Sequence, residues 1–99
     1  MKGKFDTIID SSTPVLVDFF AEWCGPCKTQ SAILKELSSI IDGKARIIKI
    51  DVDKNQNIAG RFNVRNIPTL MLFKNGKELW KKAGVSSVDE LKQLISAHQ

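Results

Sequence analysis

Two cysteines, Cys24 and Cys27, stand two residues apart in Ala21-Glu22-Trp23-Cys24-Gly25-Pro26-Cys27-Lys28, and the chain has no others. The spacing suits thiol–disulfide exchange, in which one thiolate attacks a disulfide and a nearby second thiol breaks the mixed disulfide that results. The pair follows an apolar run at residues 15–20 and precedes a pattern of helical period. A Cys-x-x-Cys pair at such a strand-to-helix junction reads as a redox site. Position assigns the roles. Cys24 falls at the helix start, where unpaired backbone N–H groups and the helix dipole favour a negative sulfur, so it is expected to attack. Cys27 lies one turn in, where it should be less accessible, and is expected to resolve. Pro26 has no N–H to donate and suits a first helical turn. Two rival readings use the same residues: half of a zinc site, and an inert structural disulfide. Zinc needs four ligands, and the single histidine, His98, is one residue from the C-terminus, so only a metal shared between two chains would fit. His98 reads instead as a helix-end residue that favours the C-terminal dipole.

The flanking patterns say which elements hold the pair. Phe5, Ile8 and Ile9 have the i, i+3, i+4 spacing of a short amphipathic helix, ended by Ser12-Thr13-Pro14. Residues 15–20 are apolar on both pleat faces apart from Asp18, as expected of a central strand covered on both sides. After Cys27, the residues Ile33, Leu34, Leu37, Ile40 and Ile41 predict a helix ending near Asp42-Gly43, with Gly43 able to take a left-handed cap. Residues 47–52 predict a second strand of the buried kind. Residues 53–57 offer capping side chains for a short helix that presents Ile58, Ala59 and Phe62.

Pro68 opens a third run at residues 69–73, and Asn75-Gly76 is a type I′ hairpin signal leading to a fourth strand at about residues 78–83. Ser87, Val88, Asp89 and Glu90 have the spacing of a capping box, and Val88, Leu91, Leu94 and Ile95 give the last helix one apolar face. Strand, helix, strand and then hairpin, helix imply an α/β three-layer sandwich with a central mixed sheet and helices on both faces. The β-α-β half should be right-handed.

Ninety-nine residues, 42% of them hydrophobic and 26% charged, are expected to form a single domain over residues 1–99 with an ordinary core. The net charge of +4 is spread in ones and twos, densest at Lys74, Lys77, Lys81 and Lys82, and reads as a solvated face. A single aromatic, Trp80, falls among these lysines, short of the interleaving that a single-strand platform requires, and no nucleic-acid motif accompanies them, so nucleic acid is not an expected partner. No run approaches a membrane span of ~18 apolar residues and the first six residues lack a secretory core, so the expectation is a soluble, cytoplasmic protein. A mature exported form that has lost its signal would look the same.

Asp18 and Lys49 interrupt the two apolar strands in the same way. A carboxylate inside a strand covered on both faces is desolvated, which raises its pKa and leaves a proton carrier near neutral pH. Each of the two residues could equally be a strand-end residue that reaches solvent.

With these residues in view, Trp23-Cys24-Gly25-Pro26-Cys27-Lys28 resembles the active-site signature of the thioredoxin family. Residues 15–19, Ile67-Pro68-Thr69-Leu70, Phe73-Lys74-Asn75-Gly76 and Gly84 resemble the family's pattern in the same order and spacing. The resemblance covers about residues 13–97. It implies a thioredoxin-like sandwich and a protein-disulfide reductase, with no bound cofactor beyond a redox-active Cys24–Cys27 disulfide. It also implies a buried Asp18–Lys49 pair beneath the cysteines, with Asp18 moving a proton to and from Cys27. The Ile67-Pro68 bond is implied to be cis. Trp23, Gly25, Pro26, Val52, Ile67, Pro68, Thr69, Ala83 and Gly84 are implied to line the surface on which a substrate segment docks.

The chain departs from the family pattern at four places. Phe20 replaces a common tryptophan, which keeps aromatic bulk without an indole N–H. Ala32 stands where a proline usually kinks the active-site helix, so a straighter helix is expected. Asn66 replaces a glycine beside the proline. The amino end is short, so the first edge strand should be missing or vestigial, giving four strands, or five if a remnant persists, and an open edge.

The expected function is reduction of disulfides in other proteins, with a thioredoxin-reductase-like electron donor recharging a monomeric protein in electron transport and redox homeostasis. Gly25-Pro26 resembles the dipeptide of the superfamily's reductants. The alternatives are a disulfide oxidase or isomerase of an exported compartment, a non-catalytic module that binds a partner through the docking surface, and a zinc-linked dimer.

Overall fold

A strand that is apolar on both faces needs a neighbour on each edge and a helical layer above and below, and the run at residues 15–20 has all four. A computed structural model describes residues 3–99 of the chain. The element order is α1 (Lys4–Ile9), β1 (Val15–Phe20), α2 (Gly25–Ile40), β2 (Arg46–Asp51), α3 (Gln56–Arg61), β3 (Thr69–Lys74), β4 (Lys77–Ala83) and α4 (Val88–Ala97). The sheet order is β2-β1-β3-β4, with β1 parallel to β2 and antiparallel to β3. The sheet is therefore mixed and four-stranded, and among the described residues no strand precedes α1.

The alternation of β1 divides the core. Leu16 packs with Leu34, Leu37, Leu72, Leu91 and Ile95, so α2 and α4 cover one face of the sheet. Val15, Val17 and Phe19 pack with Phe5, Ile9 and Phe73, with Ile58 and Phe62 against them, so α1 and α3 cover the other. Successive strand residues point to opposite faces, so Asp18 and Phe20 share the α2 side with Leu16.

Several local expectations are met by specific geometry. Asn75 and Gly76 have φ of 53° and 78°, the two positive values that a type I′ turn requires. Asp42 and Gly43 are both left-handed after α2. α2 runs unbroken through Ala32.

Other expectations are corrected. β2 is not a buried strand: it has β1 on one side only and is half-covered, running over residues 46–51 and leaving Val52 beyond its end. Residues 53–57 do not cap α3 with a side chain. Asp51 instead shapes the turn ahead of the helix, its Oδ1 accepting the N–H groups of Asp53 and Lys54 and its carbonyl accepting a hydrogen bond from Asn55 Nδ2. Ile40 is exposed at the last turn of α2, where Ile41 fills the core. Leu79 sits at a register shift between β3 and β4 and is exposed as well. The capping box of α4 is half made: Ser87 Oγ accepts the Glu90 N–H at 3.1 Å, but the Glu90 carboxylate pairs with Lys82 at 2.9 Å.

Candidate active site

The parallel connection from β1 into α2 places the dithiol at the rim of the sheet. Cys24 is the N-cap of α2, with extended backbone angles (φ −90°, ψ 114°), and its Sγ accepts the Cys27 N–H at 3.2 Å. This bond satisfies one of the donors that a helix start leaves open. Cys24 and Cys27 are joined in a disulfide, with Cα atoms 5.3 Å apart. The expected difference in accessibility is absent, since Cys24 is 4% exposed and Cys27 3%. Both pack with Ala21, and Phe20, Val52 and Ile67 close around them. Their surroundings differ instead. Cys24 Sγ lies 3.8 Å from the Ile67 carbonyl oxygen, whereas Cys27 lines a cleft of about 210 Å³ with Phe20, Lys28, Ser31 and Lys49.

Asp18 is fully buried on the α2 side of β1, and neither carboxylate oxygen has a hydrogen-bond partner. Burial pushes its carboxyl up from the ordinary 3.8 to about 6, and the Lys49 ammonium pulls in the opposite direction. The two residues are register partners across β1 and β2. The implied buried pair is not formed, however. Lys49 is exposed because β2 is an edge strand, and its Nζ donates to Ser31 Oγ at 2.6 Å and stands 4.7 Å from the centre of the Phe20 ring. Its charge reaches Asp18 without a hydrogen bond.

The residues implied to form a docking surface occupy three depths. Trp23 is 73% exposed, and its indole Nε1 donates to Asp53 Oδ2 at 2.9 Å. Gly25, Pro26, Ala83 and Gly84 are exposed, and Val52 and Ile67 are half-buried. Pro68 and Thr69 are buried. The Ile67-Pro68 bond is cis. Thr69 Oγ1 donates to the Asn66 carbonyl, Thr69 is in register with Ala83, and Gly84 N–H donates to the Pro68 carbonyl at 2.8 Å. Cys24, Ile67, Pro68 and Gly84 are thus linked in one chain of contacts, with Trp23 at the rim.

Asp53, expected to cap α3, anchors Trp23 instead, and three further residues of this region have no role in the sequence reading: Ser31, which holds Lys49; Val85, exposed beside Gly84; and Gln30. Gln30 had a visible signal. It falls on the buried stripe of α2 between Cys27 and Leu34, a polar residue in register with a core face. Among the described residues no group of three or more His, Cys, Asp or Glu side chains is placed to hold a metal ion, and no helix is long and apolar enough to cross a membrane.

This arrangement, a disulfide capping a helix beside a cis-proline loop, has close counterparts. The thioredoxin family model matches residues 1–97. Thioredoxin from Rickettsia felis is 44% identical over 89 residues, spanning 90% of this chain and 85% of that protein. Thioredoxin from Staphylococcus saprophyticus is 46% identical over 96 residues, spanning 97% and 91%. Among solved structures, a mutant thioredoxin from Halobacterium salinarum superposes with a TM-score of 0.88 at 36% identity, over 99% of this chain and 85% of that one. The oxidised thioredoxin from Plasmodium falciparum gives 0.81 at 38% identity, over 98% and 91%. The dithiol, the sandwich that carries it and these relatives lead to one conclusion: the chain belongs to the thioredoxin family, as a thiol–disulfide oxidoreductase that reduces protein disulfides.

Proposed function

We propose that Cys24 is the attacking sulfur and Cys27 the resolving one. In the reduced protein the Cys24 thiolate attacks a substrate disulfide, forming a Cys24–substrate bond and expelling one substrate thiolate. Cys27 then loses its proton and attacks Cys24 Sγ, forming the Cys24–Cys27 disulfide and releasing the second substrate thiolate. Two electrons pass from the protein to the substrate, whose thiolates take up protons. The observation that carries this reading is the N-cap geometry, in which Cys24 Sγ accepts a helix N–H at 3.2 Å. A negative sulfur there is stabilised by that donor and by the helix dipole.

Asp18 supplies and receives the proton of Cys27, since a carboxyl titrating near 6 can do both close to neutral pH. Lys49 moderates that titration from the surface. An extended substrate segment lies against Trp23, Gly25, Pro26, Val52, Ile67, Ala83 and Gly84, and the backbone of the Ile67-Pro68-Thr69 loop offers the pairing groups of a short strand addition. The protein acts as a monomer in the cytoplasm, in electron transport, where a thioredoxin-reductase-like donor keeps the dithiol reduced and structural disulfides are rare.

Replacing each cysteine in turn tests the assignment. Cys27→Ser should accumulate a mixed disulfide through Cys24 when mixed with a disulfide-containing protein, and Cys24→Ser should not; the reverse pattern overturns it. Equilibration in thiol/disulfide buffers should place the pair among reductants, and a strongly oxidising potential would point to the exported oxidase instead.

A further inference from the structure

The β4–α4 loop is tied to the active-site helix by one side chain. Gln30, one turn beyond Cys27 in α2, has no exposed surface, and neither has Ser86. Gln30 Nε2 donates to the Ser86 carbonyl at 3.1 Å, and the Ser86 N–H donates to Gln30 Oε1 at 2.7 Å. A primary amide can make both bonds to one peptide at once because it carries a donor and an acceptor side by side. The result imitates a pair of ladder bonds between segments 56 residues apart.

The position of this clamp gives it a consequence beyond packing. Just before Ser86, Gly84 (φ 93°) donates its N–H to the Pro68 carbonyl, and Val85 is 38% exposed. Just after it, Ser87 caps α4. The wall formed by Gly84 and Val85 is therefore held on one side by the cis-proline loop and on the other by the helix that carries the dithiol. The cis-proline loop reaches α2 only at its N-cap, Cys24, whereas Gln30 ties the Ser86 backbone directly to the body of the helix.

We propose that Gln30 is a positioning residue for substrate docking: by pinning the Ser86 backbone to α2 it fixes the distance between the Gly84–Val85 wall and Cys24. The proposal rests on the docking surface described under the proposed function. Gln30 touches no reacting atom, so its loss should leave the intrinsic reactivity of the dithiol unchanged and weaken only the capture of substrates that use the wall. A binding wall held at the wrong distance loses contacts to an extended substrate and so weakens its capture, without altering the sulfur chemistry.

The test compares a protein disulfide, insulin, with a small aromatic disulfide that needs no docking surface, using wild type and Gln30→Met, which keeps the volume and loses both hydrogen bonds. The expected result is a KM for insulin about five- to tenfold higher, with kcat, the reduction potential and the rate toward the small disulfide unchanged. Equal losses on both disulfides, or an unchanged KM for insulin, overturn the proposal. Hydrogen exchange in the wild type keeps the question decidable should the variant not fold. The Ser86 amide should exchange as slowly as the core amides of α2, and rapid exchange there overturns the clamp. A wild-type protein with no preference for insulin over the small disulfide defeats the docking surface itself and this proposal with it, whereas a preference that survives intact in Gln30→Met defeats the Gln30 assignment alone.

Discussion

Asp18 and Gln30 are both polar, both fully buried, and both lie between the sheet and α2, yet one has no hydrogen-bond partner and the other has two. An unpartnered buried carboxylate destabilises its charged form, and the fold answers by moving the carboxyl to about 6. A doubly bonded buried amide is satisfied and does not titrate. The comparison teaches that burial alone does not decide what a polar core residue is for. Where partners are absent, the residue keeps a labile proton; where they are complete, it fixes geometry. Asp18 lies on the α2 side of β1 and Gln30 one turn beyond Cys27 on α2, so the active-site side of the sheet holds one chemically responsive group and one rigid one.

The largest expected effect tests the rigid one. Gln30→Ala leaves the Ser86 N–H and carbonyl buried without partners and opens a cavity, and should destabilise the fold by about 2–5 kcal/mol. Thermal unfolding would register this as a drop of more than about 10 °C. A drop of only a degree or two would mean that water replaces the amide and that Gln30 is no firmer a support than Asp18.

Asp18→Asn should act in the opposite direction. Asp18 titrates at about 6 in the fold and near 3.8 when unfolded, so between those values the folded protein holds more protons and its stability falls as pH rises. The stability is fully present below about pH 4 and lost by passage through pH 6. Asn carries no charge, so Asp18→Asn should be more stable than wild type by about 3 kcal/mol at pH 7.5, with the gap closing by pH 4. Denaturant unfolding at the two pH values measures it. The same variant should reduce disulfides more slowly, and identical rates for variant and wild type across pH 6–9 would remove Asp18 from the proton path.

Lys49→Met has a smaller effect with a definite sign. Removing the one charge that pulls the Asp18 carboxyl down leaves burial unopposed, so the stability inflection should move to higher pH. An inflection that does not move would show that Lys49, held by Ser31 at the surface, is too well screened to matter.

Much of this contrast could be read from the sequence on one side only. Asp18 was conspicuous because it breaks an apolar strand of six residues, and the helix start at Cys24, the Asn75-Gly76 turn and the split of β1 between two cores follow from local spacing. Lys49 looked the same as Asp18, since nothing local distinguishes a strand with two neighbours from one with a single neighbour, and β2 proved to be the edge. Gln30 stood on the α2 stripe in plain view, but its meaning depends on a peptide 56 residues away. Trp23 likewise could be named as exposed docking surface, whereas its anchor on Asp53 is made across 30 residues. What failed to show was sheet order and long-range pairing, which no short window contains.

Ser86 offers the finest division between the two kinds of buried polar group, because it contains both. Its backbone is held by Gln30, while its own Oγ is buried with no partner. Ser86→Ala therefore removes an unsatisfied hydroxyl and leaves the clamp in place. The expected result is a gain of about 0.5–1 kcal/mol, with insulin reduction unchanged. The gain is small because a methyl group fills slightly less space than the hydroxymethyl it replaces and gives back part of what desolvation had taken. If Ser86→Ala raised the KM for insulin as Gln30→Met should, the hydroxyl would be what shapes the docking wall, and the backbone clamp would lose its claim to that role.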